Sequence, residues 1–262
     1  MKVLVTGHKG FIGTQVFSAL NKEKINTVGL ELGDTLIEDR FDYIVHMGAR
    51  TLIRNSLNLP FEYFNDNLAL TLKFLEKARR EDSSIIIPTS GSTMKPSNPY
   101  SMSKRQIEDW TYLYRKLYGT KIFLLRFYNI YGPTSRKGAV YLFTKAALCN
   151  EEVTIYGDGN HVRDFVHVQD VSDLISNIVQ GKVVQGDYEV GTGIGTSVKE
   201  LLKLVSEITR KEIKTKNKPY VLEEAERLVA STPAVKNCIQ LRVGIAGVLE
   251  NLKNNQVCQS KG

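Results

Sequence analysis

Apolar residues recur along this chain with two alternating periods. Lys2-Val3-Leu4-Val5-Thr6 is a short apolar run ending at Gly7, which predicts a buried strand, and residues 11–23 then place apolar side chains at helical spacing. Strands are predicted again at 27–31, 42–46, 84–87 and 122–127, and long helices over 60–80 and 99–118, the second stopped by Gly119. In the first long helix Phe61, Phe64, Leu68, Leu72 and Leu75 form one stripe expected to be buried. Strands separated by helices of this length imply right-handed βαβ units, so the fold class is α/β, a doubly wound parallel sheet with helices on both faces.

Beyond residue 133 the pattern loosens into shorter predicted strands at 153–156, 165–168 and 188–190 and a helix near 171–179. Ser197 followed three residues later by Glu200 is a capping box opening a helix over 198–209. No hinge of Pro, Gly or Ser divides the chain. The expected organisation is a sheet domain, mainly 1–150, with a small lobe, mainly 151–262, interleaved with it.

The composition is that of an ordinary globular protein: 262 residues, 42% apolar and 24% charged. The net charge of +7 could suggest nucleic acid. Residues 198–219 alone carry seven Lys or Arg against three Glu, so most of the excess is one solvated helix and its following loop, and no nucleic-acid partner is expected. No apolar run approaches the ~18 residues of a membrane span, and the chain enters its first strand without signal-peptide features, so no membrane association is expected. Cys149, Cys238 and Cys258 lie far apart, which argues against a disulfide framework or a cysteine zinc site and favours a reducing, cytoplasmic location. His8, His46, His161 and His167 have no ligand spacing and are read as structural or solvated; no metal is expected.

Two constellations carry chemistry. Thr6-Gly7-His8-Lys9-Gly10-Phe11-Ile12-Gly13 joins the first strand to the first helix, where glycines let the backbone turn tightly and approach a pyrophosphate held by free helix N–H groups. Glu31, at the end of the second strand, stands where a carboxylate accepts hydrogen bonds from an adenosine ribose and repels a 2′-phosphate, which favours NAD over NADP. This is a Rossmann-type arrangement. The second constellation is Tyr100 with Lys104 one helical turn on, an ammonium expected to lower the pKa of the phenol. Ser90 follows the 84–87 strand and supplies a hydroxyl at the carboxyl edge of the sheet, completing what a hydride-transfer enzyme needs.

Together these motifs resemble the extended short-chain dehydrogenase/reductases, and among them the nucleotide-sugar epimerases and dehydratases. The resemblance extends to His46-Met47-Gly48-Ala49, Asn67, Arg126-Phe127-Tyr128-Asn129-Ile130-Tyr131-Gly132-Pro133, Gly157-Asp158-Gly159 with Arg163-Asp164-Phe165-Val166-His167-Val168-Gln169-Asp170, and Tyr188-Glu189-Val190-Gly191-Thr192-Gly193. It implies that Gly7, Gly10, Phe11, Ile12, Gly13 and Glu31 hold the adenosine and pyrophosphate of NAD. By the same likeness Met47, Gly48, Ala49, Asn67, Ser90, Tyr100, Lys104 and Tyr128 surround the nicotinamide half. Asn129 and Arg163 then face the substrate diphosphate, Arg163 competing with a salt bridge to Asp164 as its alternative. The implied activity is epimerisation of a nucleoside-diphosphate sugar, foremost at C4 of a UDP-hexose through a 4-keto intermediate, with Tyr100 as base, Ser90 on the reacting oxygen and Lys104 supplying charge. The implied assembly is a homodimer built on the 60–80 and 99–118 helices.

The chain also departs from that family. Between 31 and 42 there is room for a turn but not for the ten to twelve residues of a crossover, so the third edge strand is expected to be reduced or missing and the adenine side open. A 4,6-dehydratase usually has Asp-Glu after its hydroxyl residue, where Gly91-Ser92 stand here, which disfavours that alternative. A 4-ketosugar reductase and, from another class, an NAD-sensing or RNA-associated binding module complete the alternatives.

Overall fold

The computed structural model describes residues 1–35, 38–219 and 225–258. Its elements run β1 (Lys2–Thr6), α1 (Phe11–Lys22), β2 (Asn26–Leu30), β3 (Tyr43–His46), α2 (Ile53–Asn58), α3 (Pro60–Tyr63), a π-helical segment (Phe64–Ala69), α4 (Leu70–Glu81) and β4 (Ser84–Ser90). A 3-10 turn (Gly91–Met94), α5 (Pro99–Tyr118), β5 (Ile122–Phe127), β6 (Asn129–Tyr131), α6 (Gly138–Cys149), β7 (Glu152–Tyr156), β8 (Val162–His167), α7 (Val168–Val179), β9 (Asp187–Val190) and β10 (Gly195–Ser197) follow. The described chain ends with α8 (Val198–Thr209), β11 (Lys214–Lys218), β12 (Arg227–Leu228) and α9 (Leu241–Asn254). Two compact units form, 1–127 with 171–189, and 128–170 with 190–262. The chain changes unit after β5, and α6 packs with α8 and α9 inside the second unit.

The first unit is built on a sheet of order β2-β1-β3-β4-β5-β9, parallel from β2 through β5. Leu4, Ile44, Ile85, Ile87, Ile122 and Leu124 from its strands pack against Phe74 and Leu75 of α4 and Ile107 of α5. Such burial is the main favourable term, worth roughly 1.5–3 kcal/mol for each large aliphatic or aromatic side chain. β2 is the sheet edge, and among the described residues no strand lies between Leu30 and Tyr43; residues 36 and 37 fall outside them. The missing third strand follows from a connection too short for a crossover.

The long helix expected over 60–80 is interrupted. Its π-helical segment, 64–69, inserts extra residues into the turn and rotates the buried stripe, so that Tyr63, Asn67, Leu68, Thr71, Phe74, Leu75 and Ala78 face inward. Phe61 and Phe64 are 72% and 49% exposed, contrary to the stripe read from simple helical spacing.

In the second unit β8 pairs antiparallel with β10 and parallel with β12 and β6, while β7 and β11 form a separate parallel pair. Phe143 and Ala147 of α6, Leu201 and Val205 of α8, and Ile245, Val248 and Leu252 of α9 make its core. Gly244 lets α9 pass over Tyr131, since a Cβ there would lie 2.2 Å from the phenol oxygen. Ser197 and Glu200 form the capping box expected at the start of α8, Ser197 Oγ accepting the Glu200 N–H and Glu200 Oε2 the Ser197 N–H. The cysteine reading is corrected here: Cys149 and Cys258 form a disulfide across 109 residues of sequence. Packing of α6 on α9 brings their Cα atoms to 5.3 Å, a proximity that linear spacing does not reveal.

Candidate functional site

The glycine loop has the geometry its sequence requires. Gly7 adopts φ +64°, and a Cβ on Gly13 would come 2.0 Å from the Gly7 carbonyl oxygen, so helix and loop meet at backbone distance. Gly10 is the N-cap of α1 and no side chain caps that helix. The first-turn amides of Phe11, Ile12 and Gly13 are thus left for a ligand, a cradle that fits a pyrophosphate. Glu31 follows β2 and is tied to this loop: its Oε1 accepts the Lys9 N–H at 2.6 Å and lies 3.1 Å from His8 Nδ1.

At the end of β3 the loop Met47-Gly48-Ala49 is held by a buried polar chain. Thr6 Oγ1 accepts the Gly48 N–H at 3.0 Å and lies 2.8 Å from His46 Nδ1; His46 Nε2 lies 3.1 Å from Thr71 Oγ1, which donates to the Asn67 carbonyl at 2.5 Å. Since the Thr71 proton goes to Asn67, its oxygen must accept from His46, and the neutral Nε2–H tautomer lets the Thr6 hydroxyl donate to Nδ1. Burial, aided by the nearby charge of Lys104, pushes the His46 pKa down to about 3, which keeps the ring neutral. Asn67 is fully buried; its Oδ1 accepts the Arg50 N–H, and its Nδ2 donates to the Arg50 carbonyl and to Ser103 Oγ. In this structure Asn67 shapes the loop, its side chain being engaged by the chain itself.

Ser90, Tyr100 and Lys104 converge at the end of β4. The capping box of Asn98 and Ser101 and a proline at its first turn start α5 just before Tyr100. The Ser90 hydroxyl lies close enough to the Tyr100 phenol to favour its ionised form. Ser90 Oγ also lies 2.9 Å from Ser92 Oγ and accepts the Ser92 N–H. Lys104, 5% exposed, donates to the Pro88 carbonyl at 3.0 Å. The electrostatics differ from the simple expectation: burial pushes the Tyr100 phenol up, the Ser90 hydroxyl opposes that, and the Tyr63 phenol adds to it. Lys104 is itself pushed down to about 8 by burial. Desolvation outweighs the benefit expected from placing the two groups four residues apart.

In the second unit Tyr128 donates its N–H to the Val190 carbonyl, and Asn129 opens β6 opposite Phe165. Arg163 places Nη1 at 3.0 Å from the Val162 carbonyl and 2.9 Å from that of Ala225. Asp164, fully buried, accepts from Thr192, Gly193 and Ala230, so the alternative of a salt bridge with Arg163 gives way to a loop anchor.

Sequence reasoning passed over Thr6, Thr71, Ser103, Tyr63 and Glu108. Tyr63 packs edge-on against Tyr100 with ring centroids 6.4 Å apart. Glu108 could have been noticed as a charge repeating the Tyr100 and Lys104 spacing on the same buried helix face.

Comparison with known proteins agrees with this architecture. The crystal structure of the UDP-glucose 4-epimerase of Thermus thermophilus in complex with NAD is similar with a TM-score of 0.86 and 25% identity, over 97% of this chain and 99% of that one. The UDP-glucose 4-epimerase of Thermotoga maritima, solved with UDP-glucose, gives a TM-score of 0.88 and 25% identity, over 98% and 100%. A UDP-glucose 4-epimerase of Halalkalibacterium halodurans is 26% identical over 88% of this chain and 87% of its own. The profile of the NAD dependent epimerase/dehydratase family matches residues 3–191, more than half of the chain, and the chain belongs to that family.

Proposed function

We propose that this protein is an NAD-dependent epimerase acting at C4 of a nucleoside-diphosphate sugar, a UDP-hexose foremost. The observation that carries the reading is the convergence of Ser90, at the end of β4, with Tyr100 in the first turn of α5, and with Lys104 one turn further along that helix. NAD, when bound, supplies reversible oxidation of the sugar carbon to a ketone, so no outside redox partner is needed. Gly7, Gly10, Phe11, Ile12, Gly13 and Glu31 hold its adenosine and pyrophosphate, and Met47, Gly48, Ala49 and Tyr128 flank its nicotinamide half. Tyr100 takes the proton of the sugar hydroxyl and later returns it, while Ser90 holds the same oxygen by hydrogen bonding. Lys104 contributes the positive charge that favours phenolate once a ligand closes over the site. Asn129 and Arg163 bind the substrate diphosphate, Arg163 exchanging its two carbonyl partners for phosphate oxygens.

A panel of UDP-, dTDP- and GDP-sugars incubated without reductant tests this: interconversion of two sugars supports it, and a 4-keto-6-deoxy product selects a dehydratase instead. Tyr100→Phe should keep NAD binding within about twofold and cut turnover by roughly 10²-fold or more, as loss of a general base does. Full activity in that variant would remove the assignment. The exposed Phe61, Phe64, Met102, Leu113 and Leu117 supply an apolar face for a homodimer, checked by mass in solution. Among the described residues no helix is long and apolar enough to cross a membrane. The Cys149–Cys258 disulfide withdraws the cysteine argument for the cytoplasm, and that location now rests on the need for NAD; trapping free thiols in intact cells tests it.

A further inference from the structure

Three side chains at successive turns of α5 grip the end of β4. Tyr100 faces Ser90, Lys104 bonds the Pro88 carbonyl, and Glu108 bonds the two threonines that bracket Ser90. Glu108, 9% exposed, accepts on Oε1 from Thr89 Oγ1 at 2.8 Å and from Thr93 Oγ1 at 2.9 Å. Thr93 Oγ1 is also 2.9 Å from the Ser90 carbonyl oxygen. Arg126 clamps the same carboxylate with two hydrogen bonds, Nε to Oε1 at 2.9 Å and Nη2 to Oε2 at 3.0 Å. Arg126 stands opposite Thr89 in the β4–β5 register, and its Nη2 lies 3.6 Å from Asp187, which also pairs with Arg115.

A buried ion pair is a weak way to gain stability, since desolvation cancels much of the attraction. Its geometric effect is specific: a carboxylate whose fork is filled by a rigid guanidinium cannot swing, and the hydroxyls bound to it are held in place. We propose that Glu108, locked by Arg126, is a positioning residue that fixes where Ser90 presents its hydroxyl to Tyr100. This deepens the functional reading above and rests on Tyr100 as base. Holding a hydrogen-bond donor within a fraction of an ångström of its working position is the kind of second contact on which precise sites depend.

The test uses the full chain with NAD and UDP-glucose as probe, and reads the Tyr100 titration directly by NMR of ¹³Cζ-labelled tyrosine, its signal assigned by loss in Tyr100→Phe. Tyr63 and Ser90 face that phenol from α3 and β4, and Lys104 lies on its own helix; none is altered by the variants. Glu108→Gln and Thr93→Val are compared, the second keeping the ion pair intact should the first fail to fold. Because the nearby Ser90 hydroxyl favours phenolate, displacing it should raise the Tyr100 midpoint by about 0.5 pH unit or more. In turnover, kcat should fall about tenfold while KM and NAD affinity stay within about threefold, as misplacement of a reacting group produces. An unmoved Tyr100 midpoint with wild-type kcat in a folded Thr93→Val variant would overturn the inference, leaving Glu108 as a purely structural group. Should UDP-glucose not turn over at all, the titration still decides it, while the choice of substrate fails separately.

Discussion

The ends of β3 and β4 hold polar loops at the same edge of one sheet by opposite electrostatic means. After β3, Thr6, His46, Thr71 and Asn67 form a chain of neutral groups in which each proton has one acceptor. After β4, the threonines are held by a carboxylate whose charge Arg126 balances. The neutral chain depends on a protonation state, whereas the charged cluster depends on both partners being present. Lys104 acts on both, donating to the Pro88 carbonyl of β4 and, by its charge, disfavouring a proton on His46.

The largest effect should come from breaking the charged end. Arg126→Met leaves Glu108 buried with hydroxyl donors but no counter-charge, and is expected to lower unfolding free energy by about 3 kcal/mol in denaturant titration. Adding Glu108→Gln to it should restore a good part of that loss; no recovery would mean the two groups act independently.

The neutral end should fail with acid. His46 has a folded pKa of about 3 against 6.5 unfolded, so the unfolded state binds the extra proton and stability falls as pH drops from about 6.5 toward 3. Between pH 6.5 and 5 this amounts to about 1–2 kcal/mol. His46→Gln, whose amide can donate to Thr71 and accept from Thr6, should flatten that slope; a slope unchanged in the variant would assign it to other groups.

The smallest effect concerns Lys104, whose folded pKa of about 8 lies below its ordinary 10.5. Its burial disfavours the charged form, so the stability it withholds returns as pH rises from about 8 to 10.5. Lys104→Met should therefore raise stability at pH 7 by on the order of 1 kcal/mol, the lost Pro88 contact offsetting part of the gain, and should abolish turnover. A variant less stable than wild type would show that the Pro88 bond outweighs desolvation.

Much of the frame was legible in the residues. The apolar runs located β1 and β5, Gly119 ended α5, and Ser197 with Glu200 opened α8, since each is a local rule of backbone chemistry. Helices α6 and α9 were not assigned: α6 is apolar on much of its surface and lacks a polar face, so its period is faint. The π-helical segment escaped because a stripe at three- and four-residue steps assumes an unbroken helix.

The alternation of strands and helices up to β5, the connection between β2 and β3 too short for a crossover, and the one-turn spacing of Tyr100 and Lys104 are properties of short segments, and the linear sequence determined them alone. Folding decided the rest: that His46 is neutral, that the phenol is raised and not lowered, that Glu108 meets Arg126, that Arg163 rests on backbone carbonyls, and that Cys149 finds Cys258. Those outcomes depend on depth of burial and on partners from distant segments, quantities that exist only once the chain has closed around them.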